Sequence, residues 1–174
     1  MKRIAVLAAL AALSPIFAAE FPLDGTFQKS SLKAQIPFGW NKNLTPKVQG
    51  LDVGVCKLFE KDGKRFFSVK SAAKTIPFYT NKSFPVKAGE KITMQATVSG
   101  KGKIILRAYG YGEKNKYLTT LTLCKPAEAS AGKVEGFSIL PANSKVIAVR
   151  MVFDVYPNSE ITISDIKAGA TEQK

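Results

Sequence analysis

The stretch Lys91-Ile92-Thr93-Met94-Gln95-Ala96-Thr97-Val98-Ser99-Gly100-Lys101-Gly102-Lys103-Ile104-Ile105-Leu106-Arg107-Ala108-Tyr109-Gly110-Tyr111 decides the fold. Ile92, Met94, Ala96 and Val98 alternate with Thr93, Gln95 and Thr97. Beyond Gly100-Lys101-Gly102, Ile104, Leu106, Ala108 and Gly110 alternate with Ile105, Arg107, Tyr109 and Tyr111. Alternation of this kind puts apolar side chains on one face of a strand and polar ones on the other. The same pattern fills Val146–Val155, where Ile147, Val149, Met151, Phe153 and Val155 alternate with Ala148, Arg150, Val152 and Asp154. Further strands are expected at 51–60, 65–70, 75–80, 118–123 and 135–140, with a last one through Ile161, Ile163 and Ile166. Turn residues separate them: Asp62-Gly63, Ala88-Gly89-Glu90, Pro141-Ala142-Asn143 and Pro157-Asn158-Ser159. Asp62-Gly63 between two apolar runs is the strongest hairpin signal in the chain. Lys125–Lys133 contains Gly132 and no apolar stripe, so it reads as a loop with at most one helical turn. Many short strands with regular turns predict an all-β protein, a jelly-roll β-sandwich of two antiparallel sheets.

The length of 174 residues suits one domain. An apolar fraction of 45% is globular composition, not that of a disordered chain. The chain has no histidine. That excludes Ser-His-Asp and Cys-His triads and every His-containing metal site. The acids, such as Asp62, Glu90 and Glu113, fall in turns without catalytic context, so no enzyme is expected. Gly100-Lys101-Gly102 and Gly110-Tyr111-Gly112 lack a following helix and read as turns, not phosphate loops.

Met1-Lys2-Arg3, the ten apolar residues Ile4–Leu13, the break at Ser14-Pro15 and the small residues Ala18-Ala19 have the layout of a secretory signal peptide. The expected division is therefore a signal peptide over 1–19, a single β-sandwich over 20–167 and a flexible tail over 168–174. The mature chain is expected to be exported, periplasmic or extracellular, without transmembrane insertion. Removing Lys2 and Arg3 lowers the formal charge from +13 to +11. The remaining cations are scattered lysines, with 22 Lys against 4 Arg over the whole chain. Such a basic protein is drawn to acidic glycans or an anionic envelope surface, and its few arginines argue against nucleic acid. In an oxidising compartment Cys56 and Cys124 have two readings, a disulfide or two buried thiols.

Five stretches, in order, resemble the jelly-roll carbohydrate-binding modules of the galactose-binding-like superfold, the type attached to cellulases and xylanases. They are Leu23-Asp24-Gly25-Thr26-Phe27-Gln28, Phe38-Gly39-Trp40, Lys64–Val69, Phe84–Ala96 and Ile161–Ile166. The resemblance implies a sandwich fold and a glycan partner. It also implies a structural calcium between the opening strand and the closing acids, its residues here being Gln28 and Asp165. Gln28 stands where the family has Glu, and Ser164 where it has the first Asp. Apart from that calcium no cofactor is expected.

Sugar recognition uses flat aromatic faces and fixed polar groups. Were the three alternating strands to share a sheet, one face would carry Gln95, Arg107, Tyr109, Tyr111, Arg150 and Asp154. That face is the expected carbohydrate-binding site, and its arginines suit an anionic sugar. The plainer reading is a solvated face with an Arg150–Asp154 or Arg107-centred ion pair. Trp40 is read as core. Tyr79, Tyr117 and Tyr156 are weaker binding candidates, near strand ends or loops. The function expected is an exported, non-catalytic carbohydrate-binding module. The alternative is a structural or protein-interaction module of the cell envelope with the same fold and no sugar ligand.

Overall fold

The computed structural model describes residues 19–42 and 55–173. All but the last residue of the signal peptide expected over 1–19, and the first part of the strand expected at 51–60, lie outside the described residues. Among the described residues there are thirteen strands: β1 (Ala19–Glu20), β2 (Trp40–Lys42), β3 (Val55–Lys61), β4 (Lys64–Ser71), β5 (Ile76–Thr80), β6 (Phe84–Pro85), β7 (Lys91–Lys101), β8 (Lys103–Tyr111), β9 (Tyr117–Thr122), β10 (Ala127–Glu128), β11 (Lys133–Ile139), β12 (Ala148–Val155) and β13 (Ser159–Thr171). They form two antiparallel sheets. Sheet one has the order β11-β7-β13-β4-β3, with β1 added on β13. Sheet two has the order β10-β8-β12-β5-β2, with β6 on β12 and β9 on β8. This is the jelly-roll sandwich that the period-two pattern predicts.

Local chemistry explains the connections. Asp62 (φ 52°) and Gly63 (φ 72°) both take positive φ, as a tight hairpin turn between β3 and β4 requires. Gly100 (φ 116°) and Gly102 (φ 100°) turn the chain out of sheet one and into sheet two. A Cβ on either would overlap the backbone of Glu160 or the Ser159 side chain. The segment read as a loop, 125–133, holds β10 and a short 3₁₀ turn over Ala129–Ala131.

The two sheets enclose one core. Phe67 from sheet one meets Phe78 from sheet two edge-on, with ring centroids 5.1 Å apart. Phe78 stacks on Phe153 at 5.0 Å, and Trp40 lies 5.0 Å from Phe153. Trp40 is only 3% exposed, so it is a core residue. Such aromatic pairs add about 0.5–1.5 kcal/mol each beyond simple area burial.

The opening and closing motifs meet. Asp24 accepts from the backbone N–H groups of Gln28 and Lys29 and closes the opening turn. β13 bulges between Ser164 and Lys167, with Asp165 at φ 49°. The bulge lets Ile166 N–H donate to the Gly25 carbonyl, and a Cβ on Gly25 would overlap the Ile166 carbonyl. Phe27, at φ 59° and fully buried, plugs the core beneath this junction.

Two expectations are corrected, and one open reading is resolved. The tail begins later than residue 168, because β13 continues through Thr171, with Ala168 and Ala170 buried. Alternating pairs with β7 and β1 hold this end. Gln95 leaves the expected site, because β7 belongs to sheet one while β8 and β12 belong to sheet two. Of the two readings of the cysteines, the structure has the free thiols: Cys56 and Cys124 are unbridged. Cys56 lies on β3, at one edge of sheet one, and Cys124 packs against Gly136 of β11, at the other. Four strand spacings of ~4.8 Å put them about 19 Å apart, far beyond the ~7 Å Cα limit for a bridge. Burial pushes both thiols up from their ordinary pKa.

Candidate functional site: a tyrosine–arginine face

Register partners share a face, so the outer surface of sheet two is read directly from its pairing. One row across it is Asn41, Tyr79, Val152, Arg107 and Thr122. The next carries Arg150, Tyr109 and Thr120, and the one after it Ala148, Tyr111 and Tyr117. Five of the expected residues therefore come together: Arg107, Tyr109, Tyr111, Arg150 and Asp154. Tyr79 and Tyr117 join them. The chain position of Tyr79, late in an apolar run, hides its place in the middle of the sheet. Its spacing of two from Pro77, opposite Asp154, is the signal that puts it on this face.

The tyrosines form a continuous aromatic strip. Tyr109 is 6.3 Å from Tyr79 and 6.1 Å from Tyr117, and Tyr111 is 6.1 Å from Tyr117. The Arg150 guanidinium sits 5.8 Å from the Tyr79 ring and 5.2 Å from the Tyr111 ring. Its Nε donates to Ser83 Oγ at 3.2 Å. Arg150 is thus held by two aromatic rings and a hydroxyl, without a carboxylate partner among the described residues, and keeps donors for a ligand. The ion pair on this face is Arg107–Asp154, at 2.9 Å, not Arg150–Asp154.

Asp154 is nearly fully buried, flanked in register by Pro77 and Ile105. Desolvation raises its carboxyl pKa, and the Arg107 charge opposes the rise. Asp154 Oδ1 and Arg107 Nε are buried without hydrogen-bond partners. Burial likewise raises the Tyr109 hydroxyl pKa, with the Asp154 charge adding to it. Tyr109 therefore presents a neutral hydroxyl and a flat ring at neutral pH. Arg107 and Asp154 form the floor of the face, and the rings and Arg150 its contact surface.

Gln95 lies elsewhere. It lines a groove of about 600 Å³ at the β7–β11 edge with Lys91, Glu135 and Phe137. That groove offers a single aromatic ring, Phe137, already covered by Lys91 Nζ at 4.1 Å. A cleft of about 300 Å³ at one end of the sandwich is lined by Phe38, Lys29, Asn81 and Lys82. Tyr156 is absent from the sheet-two strip, since it follows β12 in the turn to β13.

Gln28 and Asp165 do come together, in a cavity of about 250 Å³ shared with Thr26, Lys64, Arg65 and Ser164. The donor set fits calcium poorly. A hard dication takes six to eight oxygens, carboxylates among them. Among the described residues Asp165 is the only carboxylate lining this cavity, and two cationic side chains share the space. Among the described residues no group of three or more His, Cys, Asp or Glu is placed to hold a metal. No helix among them is long and apolar enough to cross a membrane.

The sequence matches no protein-family model, and no curated protein is similar to it in sequence. Solved structures share the fold. The xylan-binding CBM22-1 domain of Paenibacillus barcinonensis Xyn10C aligns at TM-score 0.61 and 9% identity, over 91% of this chain and 99% of that one. A cyclase from Fischerella sp. TAU aligns at TM-score 0.64 and 11% identity, over 89% and 98%. Tailspike protein 4 of bacteriophage CBA120 aligns at TM-score 0.63 and 11% identity, covering 86% of this chain but 21% of the tailspike domain. The chain therefore spans about a fifth of that last structure and nearly all of the first two. The protein has the jelly-roll fold of carbohydrate-binding modules. The same fold in a cyclase leaves function to the site.

Proposed function

We propose that this protein is an exported, non-catalytic carbohydrate-binding module that holds glycans on the outer face of sheet two and favours anionic ones. The observation that carries this reading is the strip of Tyr79, Tyr109, Tyr111 and Tyr117 with Arg150 seated among the rings. Tyrosine rings offer flat surfaces to the C–H faces of a pyranose, and their hydroxyls hydrogen-bond its edges. Arg150 adds a charged fork suited to a sugar carboxylate or sulfate. Export rests on the leader-like sequence over 1–19. The xylan-binding neighbour supports glycan binding as a use of this fold.

A catalytic reading has one observation in its favour, the buried Asp154 with its raised pKa. Against it, Asp154 Oδ2 is engaged by Arg107, and Oδ1 is buried. A proton donor in that position has no approach for a substrate atom.

The test is a glycan array at low salt on the purified protein, spanning neutral xylans and glucans and anionic uronans, sulfated glycans and lipopolysaccharide. Binding that prefers anionic glycans and is weakened by Tyr109→Ala and Arg150→Ala is expected. No binding to any class overturns the proposal. Binding that survives those substitutions but is lost with Phe38→Ala moves the site to the end cleft.

A further inference from the structure

Arg65 occupies the junction where the resemblance would put a metal. It follows Lys64 at the start of β4, and its side chain reaches back to the opening segment. Nη1 donates to the carbonyl of Gln28 at 2.9 Å and to that of Ser30 at 2.6 Å. Nε donates to Glu60 Oε2 at 3.1 Å, across the β3–β4 hairpin. One guanidinium thus ties together two carbonyls of the opening loop and a carboxylate of sheet one. The partners are distant in sequence, by 37 and 35 residues for the two carbonyls. The arginine side chain is 23% exposed, so these bonds are partly shielded from water.

We propose that Arg65 is a built-in cation that does the structural work of a bound metal, and that this fold therefore closes without calcium. Three features on the page agree. The Gln28 and Ser30 carbonyls, natural ligands for a hard cation, already accept from Nη1. Asp165 is a single carboxylate there against the two cations Lys64 and Arg65, Gln28 and Ser164 add only neutral oxygens, and the Arg65 charge is already matched by Glu60. Lys64 lines the same cavity and repels any incoming dication. A guanidinium offers five donors in a fixed plane, so it reaches several oxygens at once as a metal does.

Thermal melts of the purified protein test this. Addition of millimolar calcium, or of EDTA, is expected to leave Tm unchanged. Calcium that raises Tm, with EDTA reversing the rise, overturns the proposal. Arg65→Ala is expected to lower Tm by roughly 5–10 °C, as the loss of several charge-assisted bonds does in a domain this size. Arg65→Lys is expected to fall between, because one ammonium keeps the charge but not the fork. An Arg65→Ala variant that melts with the wild type overturns the proposal. If that variant does not fold, the wild-type calcium arm and Arg65→Lys decide. Neither readout depends on glycan binding, so the outcome stands apart from the proposed function.

Discussion

The two outer faces of the sandwich are built on the same alternation but carry different chemistry. On sheet one, outward positions hold Thr93, Gln95, Lys133, Glu135, Lys70 and Glu160, with Phe137 opposite Thr93 and the stacked pair Phe59–Phe66 on β3 and β4. Their charges pair locally, Lys133 with Glu135 at 2.6 Å and Lys70 with Glu160 at 3.6 Å. With both partners of the second pair about two-thirds exposed, water screens it and its contribution is small. On sheet two, the outward positions hold four tyrosines and two arginines, all half-buried against one another except the exposed Tyr117. Tyrosines are costly to keep wet when smaller polar residues would solubilise the face as well. The difference sets a face of locally paired charges and scattered phenylalanines against one on which tyrosine rings gather around a guanidinium.

The core beneath both faces gives the largest expected effect. Phe153→Ala empties the centre of the cluster with Trp40, Phe67 and Phe78. It is expected to cost about 3–5 kcal/mol in chemical denaturation. A loss under ~1 kcal/mol would mean that the two sheets do not pack as described.

Binding comes next. Tyr109→Ala with Tyr111→Ala is expected to weaken glycan affinity at least about tenfold by calorimetry, equivalent to ~1.4 kcal/mol. Phe137→Ala and Gln95→Ala on sheet one are expected to leave affinity unchanged. Equal losses on both faces would erase the contrast. Arg150→Ala is expected to reduce binding to anionic glycans more than to neutral ones, and to flatten its salt dependence.

A smaller effect concerns pH. Because the folded-state pKa of Asp154 is raised, its stabilising contribution is complete below the ordinary carboxylate pKa. It is lost as pH rises through the raised value. Asp154→Asn is therefore expected to gain stability relative to the wild type as pH increases across that window. Urea melts at a series of pH values check this, and a relative gain towards low pH would contradict the assigned burial. The smallest effect is on the cysteines. Reducing agent is expected to leave Tm unchanged, and the unfolded protein to titrate two thiols.

Much of this was legible in the residues. The strands at 91–101, 103–111 and 148–155 follow from alternation alone, because a half-buried strand must alternate. The hairpin at Asp62-Gly63 follows from the positive φ that its tight turn demands. Arg107, Tyr109 and Tyr111 had to share a face because they lie two apart on one strand. The partner strands were not legible. Gln95 has the right parity but the wrong sheet, since Gly100 and Gly102 send the chain across the sandwich. Tyr79 was undervalued for the converse reason: a position near the end of an apolar run becomes central when β5 pairs with β12.

By itself, then, the sequence determined the fold class, the inward and outward set of each strand, and the absence of histidine chemistry. Periodicity and composition are local properties, and they need no knowledge of neighbours. Only the tertiary structure decided which outward sets lie side by side and that Arg107 rather than Arg150 pairs with Asp154. It alone put the two cysteines at opposite edges and brought Arg65 to the carbonyls of Gln28 and Ser30. Each of those outcomes depends on sheet assignment and register, which join residues dozens of positions apart and leave no mark in the local pattern.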